Sequence, residues 1–184
     1  MRVVNLSSLM HTLPAALRAD QRWTSLEKVN RQGWPEAWGT IMRYSMSKTG
    51  NILLTNELEK LTRNKRISNL SVHPGVVNTE VWEGFKAEHW YMSGFLTVLF
   101  RLTLLRSDQG ALTQLYAASS PEIDEKNLRG SYLVPFGQKT SPWGDAKDQG
   151  GARSAELYSF IRDFLKEKVQ VDLDQLVKQA GLSR

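Results

Sequence analysis

Three short apolar runs, separated by helical patterns, constrain the fold of this chain most strongly. Residues 2–7 (RVVNLS), 67–72 (ISNLSV) and 131–136 (SYLVPF) have the length and the β-branched or aromatic content of buried strands. Residues 44–62 and 107–119 lie between them and carry the apolar period of helices. Strands that alternate with helices indicate βαβ units, so the sequence predicts an α/β fold. We expect a truncated Rossmann-like parallel sheet of about three strands with flanking helices.

The whole chain, residues 1–184, is interpreted as one domain, because no repeat and no composition-based linker divides it. Residues 9–43 are a Trp-rich insertion between the first strand and the first long helix, and they hold three of the six tryptophans. Long excursions at such places often carry function. At the other end, residues 153–184 predict a C-terminal helical segment.

Composition excludes several kinds of site and partner. The chain has no cysteine, so disulfides and thiolate metal sites or nucleophiles are ruled out. The net charge of +5 is spread out, and a solvated helix end explains its densest cluster, residues 63–66, so we expect no nucleic-acid partner. The three histidines do not have metal-site spacing, and no metal is expected. The chain opens on a strand-like run rather than an apolar leader, which favours a cytoplasmic location.

One longer apolar segment, residues 90–106, has 17 residues and contains Arg101. It is shorter than the ~20 apolar residues that a membrane span needs. The pattern indicates a partly buried helix or lid, or an apolar surface for a lipophilic substrate, a membrane face or another subunit.

The chemistry-bearing pair is Tyr44 and Lys48, four residues apart on the helix at 44–62. This spacing puts both side chains on one helical face. A neighbouring ammonium stabilises a phenolate, which makes a tyrosine a better proton acceptor and donor. Ser7 and Ser8 end the first strand, and the carboxyl ends of parallel strands line the ligand crevice. A Tyr-x-x-x-Lys pair alone also occurs by chance on solvated helices, so the motifs around it decide its meaning.

Those motifs occur in a fixed order: RVVNLSS, then YSMSKTGNILLTNEL, then SVHPGVVNTEV, then RGSYLVPFG. Over residues 2–136 this set resembles the short-chain dehydrogenase/reductase family, and its retinol-dehydrogenase-like branch in particular. The resemblance implies catalytic roles for Ser8, Tyr44 and Lys48, with the tyrosine as proton donor or acceptor. It also implies that the chain near the end of the second strand meets the nicotinamide end of NAD(P)H. The residues concerned are Pro74, Gly75, Val77 and Thr79.

The retinol-dehydrogenase-like branch often takes lipophilic carbonyls or alcohols. For such a substrate we expect a wall formed by Trp82, Phe85 and Trp90, with His11 approaching the site from the loop after Ser8. Each of these residues also has a simpler interpretation, as core packing or as a loop residue with a satisfied ring.

The first half of the family pattern has no counterpart in this sequence. The glycine-rich phosphate turn is missing, and residues 33–39 (GWPEAWG) do not have its spacing or its flanking strand. Independent tight binding of NAD(P)H is therefore not expected. The first strand would also lack its neighbour, so we expect a homo-oligomer or a partner chain at that edge, and contact with a membrane surface is a further option.

Three functions remain open from the sequence. The first is a dehydrogenase/reductase-like enzyme that acts on a carbonyl or alcohol and is redox-active only where a partner or the missing half binds NAD(P)H. The second is a cofactor-independent proton-transfer enzyme, such as an isomerase, dehydratase, cyclase or aldol-type lyase. The third is a non-catalytic binding or assembly module.

Overall fold

The structure is a computed structural model that describes residues 1–16, 22–30, 36–77 and 104–182. Within these ranges the strands are β1 (Arg2–Leu6), β2 (Ser68–Val72), β3 (Tyr132–Val134) and β4 (Gln138–Thr140). The α-helices are α1 (Leu13–Ala16), α2 (Leu26–Asn30), α3 (Glu36–Leu61), α4 (Ser107–Ser119), α5 (Glu122–Glu125), α6 (Ala152–Phe164) and α7 (Leu173–Gln179). Short 3-10 turns cover Leu9–Thr12, Pro135–Gly137 and Gly144–Lys147, and a π-helical turn, Leu165–Val169, extends α6.

The four described strands form one open sheet in the order β1-β2-β3-β4. β1 runs parallel to β2, with Arg2 opposite Ser68 and Leu6 opposite Val72. β3 also runs parallel to β2, whereas β4 folds back antiparallel on β3. The predicted Rossmann-like parallel sheet is confirmed, and β4 is an addition to it. The parallel strands bring their carboxyl ends to one edge of the sheet.

Every residue of β2 is buried, although three of its five residues are polar. Leu70 and Val72 are fully buried in the main core. Asn69 donates through its side-chain amide to Glu59 at 3.1 Å and to Thr62 at 2.7 Å. These bonds offset the cost of burying the amide and fix the C-terminal end of α3 against the sheet.

Helices cover both faces of the sheet. On one face α4 and α5 pack through Ala117 and Ile123 onto Leu70 and Leu133. On the other face α3 packs through Ile52 onto Tyr132. A further cluster then joins α3 to α6 and to the segment at Trp23, and its buried members are Trp23, Met46, Leu53 and Leu157.

The observed helices differ from the predicted ones mainly at α3. It begins at Glu36, eight residues before the predicted start at residue 44. Gly39 lies in its first turns and favoured a loop prediction, because glycine has low helix propensity. Tertiary packing overrides that preference, since Met42, one turn later, is fully buried. Part of the expected irregular insertion at 9–43 is therefore helical.

The C-terminal segment predicted as helical, residues 153–184, contains two helices. They are α6, with its π-helical extension, and α7. Across the part of the chain that the structure describes, no helix is long and apolar enough to cross a membrane.

Candidate active site

A ladder of polar contacts joins the end of β1 to helix α3. Asn5 donates through its side-chain amide to Thr55 Oγ1 at 2.9 Å. One residue further, the Leu6 carbonyl accepts from Asn51 Nδ2 at 2.7 Å. The ladder fixes the position of the end of β1 relative to α3. A site whose residues come from both elements needs this fixed position.

Tyr44 and Lys48 lie side by side on α3. The Lys48 ammonium is 5.3 Å from the centroid of the Tyr44 ring, in cation–π range. Lys48 Nζ also donates to the Leu6 carbonyl at 3.4 Å, and partial burial lowers the pKa of its ammonium. Tyr44 is 46% exposed, so its ring is open to a ligand. The two residues predicted as a pair are thus together at the carboxyl edge of the sheet.

The two serines after β1 have different environments. Ser7 is buried, and its hydroxyl donates to the Lys48 carbonyl at 2.8 Å, so its proton is committed. Ser8 is half-buried, and its Oγ accepts from the Met10 N–H at 3.2 Å at the start of the 3-10 turn. The Ser8 hydroxyl proton has no acceptor among the described residues. Of the two, Ser8 is the one that can donate to a substrate oxygen.

His11 is buried, and both of its ring nitrogens are hydrogen-bonded. Its Nε2 accepts from the Trp143 N–H at 3.1 Å, so the ring proton resides on Nδ1 in the neutral form. That proton is donated to the Ser8 carbonyl at 2.7 Å. Burial lowers the pKa of His11, which favours this neutral form. The ring is 2% exposed and has no free nitrogen to offer a substrate in this arrangement.

The chain after β2 turns sharply at the same edge. Gly75 has φ +94, and a Cβ placed there would lie 2.6 Å from Leu105 Cδ1 and 3.1 Å from Pro135 Cγ. Its N–H donates to His73 Nδ1 at 3.3 Å. The glycine is therefore required both by conformation and by close packing. Burial and the nearby His11 lower the pKa of His73 to about 4.

Pro74 and Val77, the other described residues of the predicted nicotinamide contact, are half-buried beside this turn. Val77 makes a parallel bridge with Leu105, and its side chain packs against Gly110 of α4. Thr79 and the predicted substrate wall of Trp82, Phe85 and Trp90 lie outside the described residues. Leu105, with which Val77 pairs, also donates its N–H to the Val76 carbonyl at 2.8 Å.

The chain matches known proteins over part of the length of those proteins. The chain is 37% identical over 106 residues to an uncharacterised oxidoreductase of Schizosaccharomyces pombe, covering 55% of this chain and 29% of that protein. It is 32% identical over 132 residues to retinol dehydrogenase 11 of Mus musculus, covering 72% of the chain and 36% of the mouse protein. A short-chain dehydrogenase/reductase of Aspergillus calidoustus is 28% identical over 180 residues, covering 93% and 52%.

This chain belongs to the short-chain dehydrogenase/reductase family. It spans only about a third to a half of the length of these curated relatives. No protein-family model matches the chain. Among solved structures, a crystal structure of an uncharacterised protein from Mycobacterium paratuberculosis is 26% identical with a TM-score of 0.52, and the match covers 90% of this chain and 50% of that one. The resemblance predicted from the ordered motifs is confirmed.

Sequence reasoning missed two residues of this candidate site. Asn51 follows Lys48 by three residues on the same helix, and its amide holds the Leu6 carbonyl. The signal in the sequence was a polar residue, Asn51, on the face of the helix that meets β1. Trp143 contacts His11 through its backbone from 132 positions away, and no spacing rule predicts such a contact.

The described residues fit one end of a nicotinamide dinucleotide. Lys48 makes no ion pair among them, and its long bond to the Leu6 carbonyl leaves donors for ribose hydroxyls. The Gly75 turn lies at the end of the neighbouring strand, where such ligands bind in open α/β sheets.

A glycine pair, Gly150 and Gly151, leads into the N-terminus of α6, but no strand directly precedes it. The Arg153 and Ser154 N–H groups there donate to Asp148 Oδ1, so they are not free to bind a pyrophosphate.

Proposed function

We propose that this chain carries the proton-transfer part of a short-chain dehydrogenase/reductase active site. Tyr44 gives a proton to, or takes one from, the oxygen of a carbonyl or alcohol on a lipophilic small molecule. Lys48 stabilises the phenolate form of that tyrosine, and Ser8 donates a hydrogen bond to the same substrate oxygen. The observation that carries the proposal is the Lys48 ammonium beside the exposed Tyr44 ring. The Ser7 hydroxyl ties their helix to residues 7–12, which we call the serine loop.

In the reductive direction the carbonyl carbon gains a hydride and the oxygen gains the Tyr44 proton, which gives an alcohol. A bound NAD(P)H would supply that hydride and would be oxidised to NAD(P)⁺. Lys48 would hold the ribose, and the turn at Pro74, Gly75 and Val77 would lie against the nicotinamide. We propose that the pyrophosphate is held by a partner chain or by a part of the protein that this sequence does not contain.

The open edge of β1 supports an association partner. Among the described strands β1 pairs with β2 alone, and Leu6 at its end is 44% exposed. An unpaired strand edge favours further pairing. We propose that a second copy of the chain or a partner chain covers this edge. Light scattering tests the point: a mass above one chain supports it, and a monomer at micromolar concentration contradicts it.

The test of the proposed chemistry is reduction of all-trans-retinal at an NADPH concentration high enough to offset weak cofactor binding, under which the wild type turns over, followed as loss of NADPH absorbance and formation of retinol. Tyr44→Phe removes the transferred proton and should lower turnover by about a hundredfold or more, the usual weight of general acid catalysis. Tyr116→Phe is the matched control, because it removes the same oxygen from α4, where that hydroxyl donates to Glu122. Equal turnover in the wild type and Tyr44→Phe would contradict the proposal.

A second candidate is proton transfer without hydride. The absence of a described pyrophosphate cradle favours it over independent dehydrogenase activity. Turnover of a carbonyl substrate that does not depend on NADPH, yet is lost in Tyr44→Phe, would select this candidate. Tight NADPH binding by the chain alone would remove it.

A further inference from the structure

The segment after β4 is fixed to the serine loop by one buried side chain. Trp143 gives its N–H to His11 Nε2, and His11 gives its own ring proton to the Ser8 carbonyl. The His11 carbonyl in turn accepts from Thr49 Oγ1 on α3 at 3.3 Å. One residue therefore joins the serine loop, the catalytic helix and the segment that starts at Trp143.

The rest of that segment is anchored in the core. Ala146 is fully buried against Ile52 and Tyr132. Gly144 has φ +59 and passes so close to Ala15 of α1 that a Cβ would collide with it. The backbone of the segment is thus rigidly placed, whereas the Trp143 side chain is 59% exposed.

Other large apolar side chains are exposed on the elements that meet at His11. Leu9 follows Ser8 directly and is 55% exposed, and Tyr44 on α3 is 46% exposed. A single exposed apolar residue is ordinary, but several on joined elements beside a polar site are typical of a binding surface. Indole rings offer a large rigid contact area to an apolar ligand.

We propose that Trp143 is a substrate-contacting residue for the apolar part of the ligand and that His11 is a positioning residue that couples it to Ser8. The ligand class is a lipophilic alcohol or carbonyl compound, and the proposal rests on the proposed function for that class. His11 fixes the position of Trp143 relative to Ser8. Binding of the ligand's apolar part and orientation of its reacting oxygen therefore depend on one another.

Two conservative variants separate the two bonds of His11. His11→Asn keeps a donor near the Nδ1 position for the Ser8 carbonyl but cannot reach the Trp143 N–H. His11→Gln keeps an acceptor near the Nε2 position. Hydrogen exchange of the Trp143 amide, measured by NMR, should accelerate by about tenfold or more in His11→Asn and stay slow in His11→Gln, since a lost hydrogen bond exposes the amide. Fast exchange in the wild type would overturn the coupling.

Ligand binding tests the contact itself, with all-trans-retinol as the probe and its fluorescence as the readout. We expect Trp143→Ala and His11→Asn each to weaken retinol binding by about tenfold, whereas His11→Gln restores it partly. Leu176→Ala is the control, because Leu176 is exposed on α7. Unchanged retinol affinity in both Trp143→Ala and His11→Asn would overturn the proposal.

The two proposals fail in different ways. If Tyr44→Phe abolishes turnover while Trp143→Ala leaves retinol affinity and KM unchanged, the proposed function stands and this inference is wrong. If Trp143→Ala weakens retinol binding while Tyr44→Phe leaves turnover intact, the contact stands and the proposed chemistry is wrong. If His11 has only a structural role, His11→Asn and His11→Gln should lower kcat equally and should not differ in KM. That result would also overturn the inference.

Discussion

Ser7 Oγ donates a 2.8 Å hydrogen bond to the backbone carbonyl of Lys48, which fastens the end of β1 to the helix that carries Tyr44. The bond uses the hydroxyl proton of Ser7, and the side chain is buried. The adjacent Ser8 uses its oxygen to accept from Met10 and keeps its proton. The two neighbouring serines therefore differ: Ser7 holds β1 against α3, and Ser8 has the free hydroxyl proton that we propose meets the substrate.

Replacing each serine by alanine should separate these tasks. Ser7→Ala should lower the free energy of unfolding by about 1 kcal/mol or more, because it removes a buried hydrogen bond. Ser8→Ala should cost less stability but lower turnover of all-trans-retinal more strongly. Urea denaturation and the NADPH-linked assay measure the two effects. If Ser7→Ala loses more turnover and Ser8→Ala is fully active, the assignment of the substrate contact to Ser8 is wrong.

The turn after β2 predicts a steric effect at Gly75. A Gly75→Ala methyl meets both a positive φ and the Leu105 side chain, so we expect a loss of about 2–3 kcal/mol. Gly150 has φ +84 with open space around it and is a matched control. Gly150→Ala should cost only about 1 kcal/mol, the conformational part. Equal losses in the two variants, measured by chemical denaturation, would contradict the packing of Leu105 against the turn.

Stability should fall as the pH drops below neutrality because of His73. Its pKa is about 4 in the folded chain and 6.5 when unperturbed, so the unfolded chain binds more protons between these values. This contribution to the free energy of unfolding is complete above pH 6.5 and is lost as the pH falls toward 4, on the order of 3 kcal/mol. His73→Asn keeps an acceptor for the Gly75 N–H and removes the titration. A variant with the same pH dependence as the wild type would show that His73 is not responsible.

The three parallel strands were predictable because short apolar runs bounded by polar residues indicate buried strands, and each observed strand lies within its predicted range. β4 was not predictable, since Gln138, Lys139 and Thr140 are polar and exposed. Its pairing follows from the turn before it, where Phe136 has φ +64 and Gly137 has φ +75. Such a turn depends on tertiary packing rather than on local propensity.

The candidate site was predictable to a similar extent. Tyr44, Lys48 and the serines follow from one helix and one strand end, and local spacing determines which face they share. The tie from His11 to Trp143 joins residues far apart in the sequence. It exists because the segment after β4 returns to the carboxyl edge of the sheet, and no periodic pattern encodes that return.

A double-mutant cycle on kcat/KM for all-trans-retinal, with Tyr44→Phe, Lys48→Met and both together, tests whether Tyr44 and Lys48 act as one acid–base unit. If Tyr44 and Lys48 act as one acid–base unit, Lys48→Met should lower kcat/KM far less in the Tyr44→Phe background than in the wild type, because only its proposed ribose contact is left to lose. Losses that simply add, or full activity in Tyr44→Phe, would contradict the joint role of the two residues.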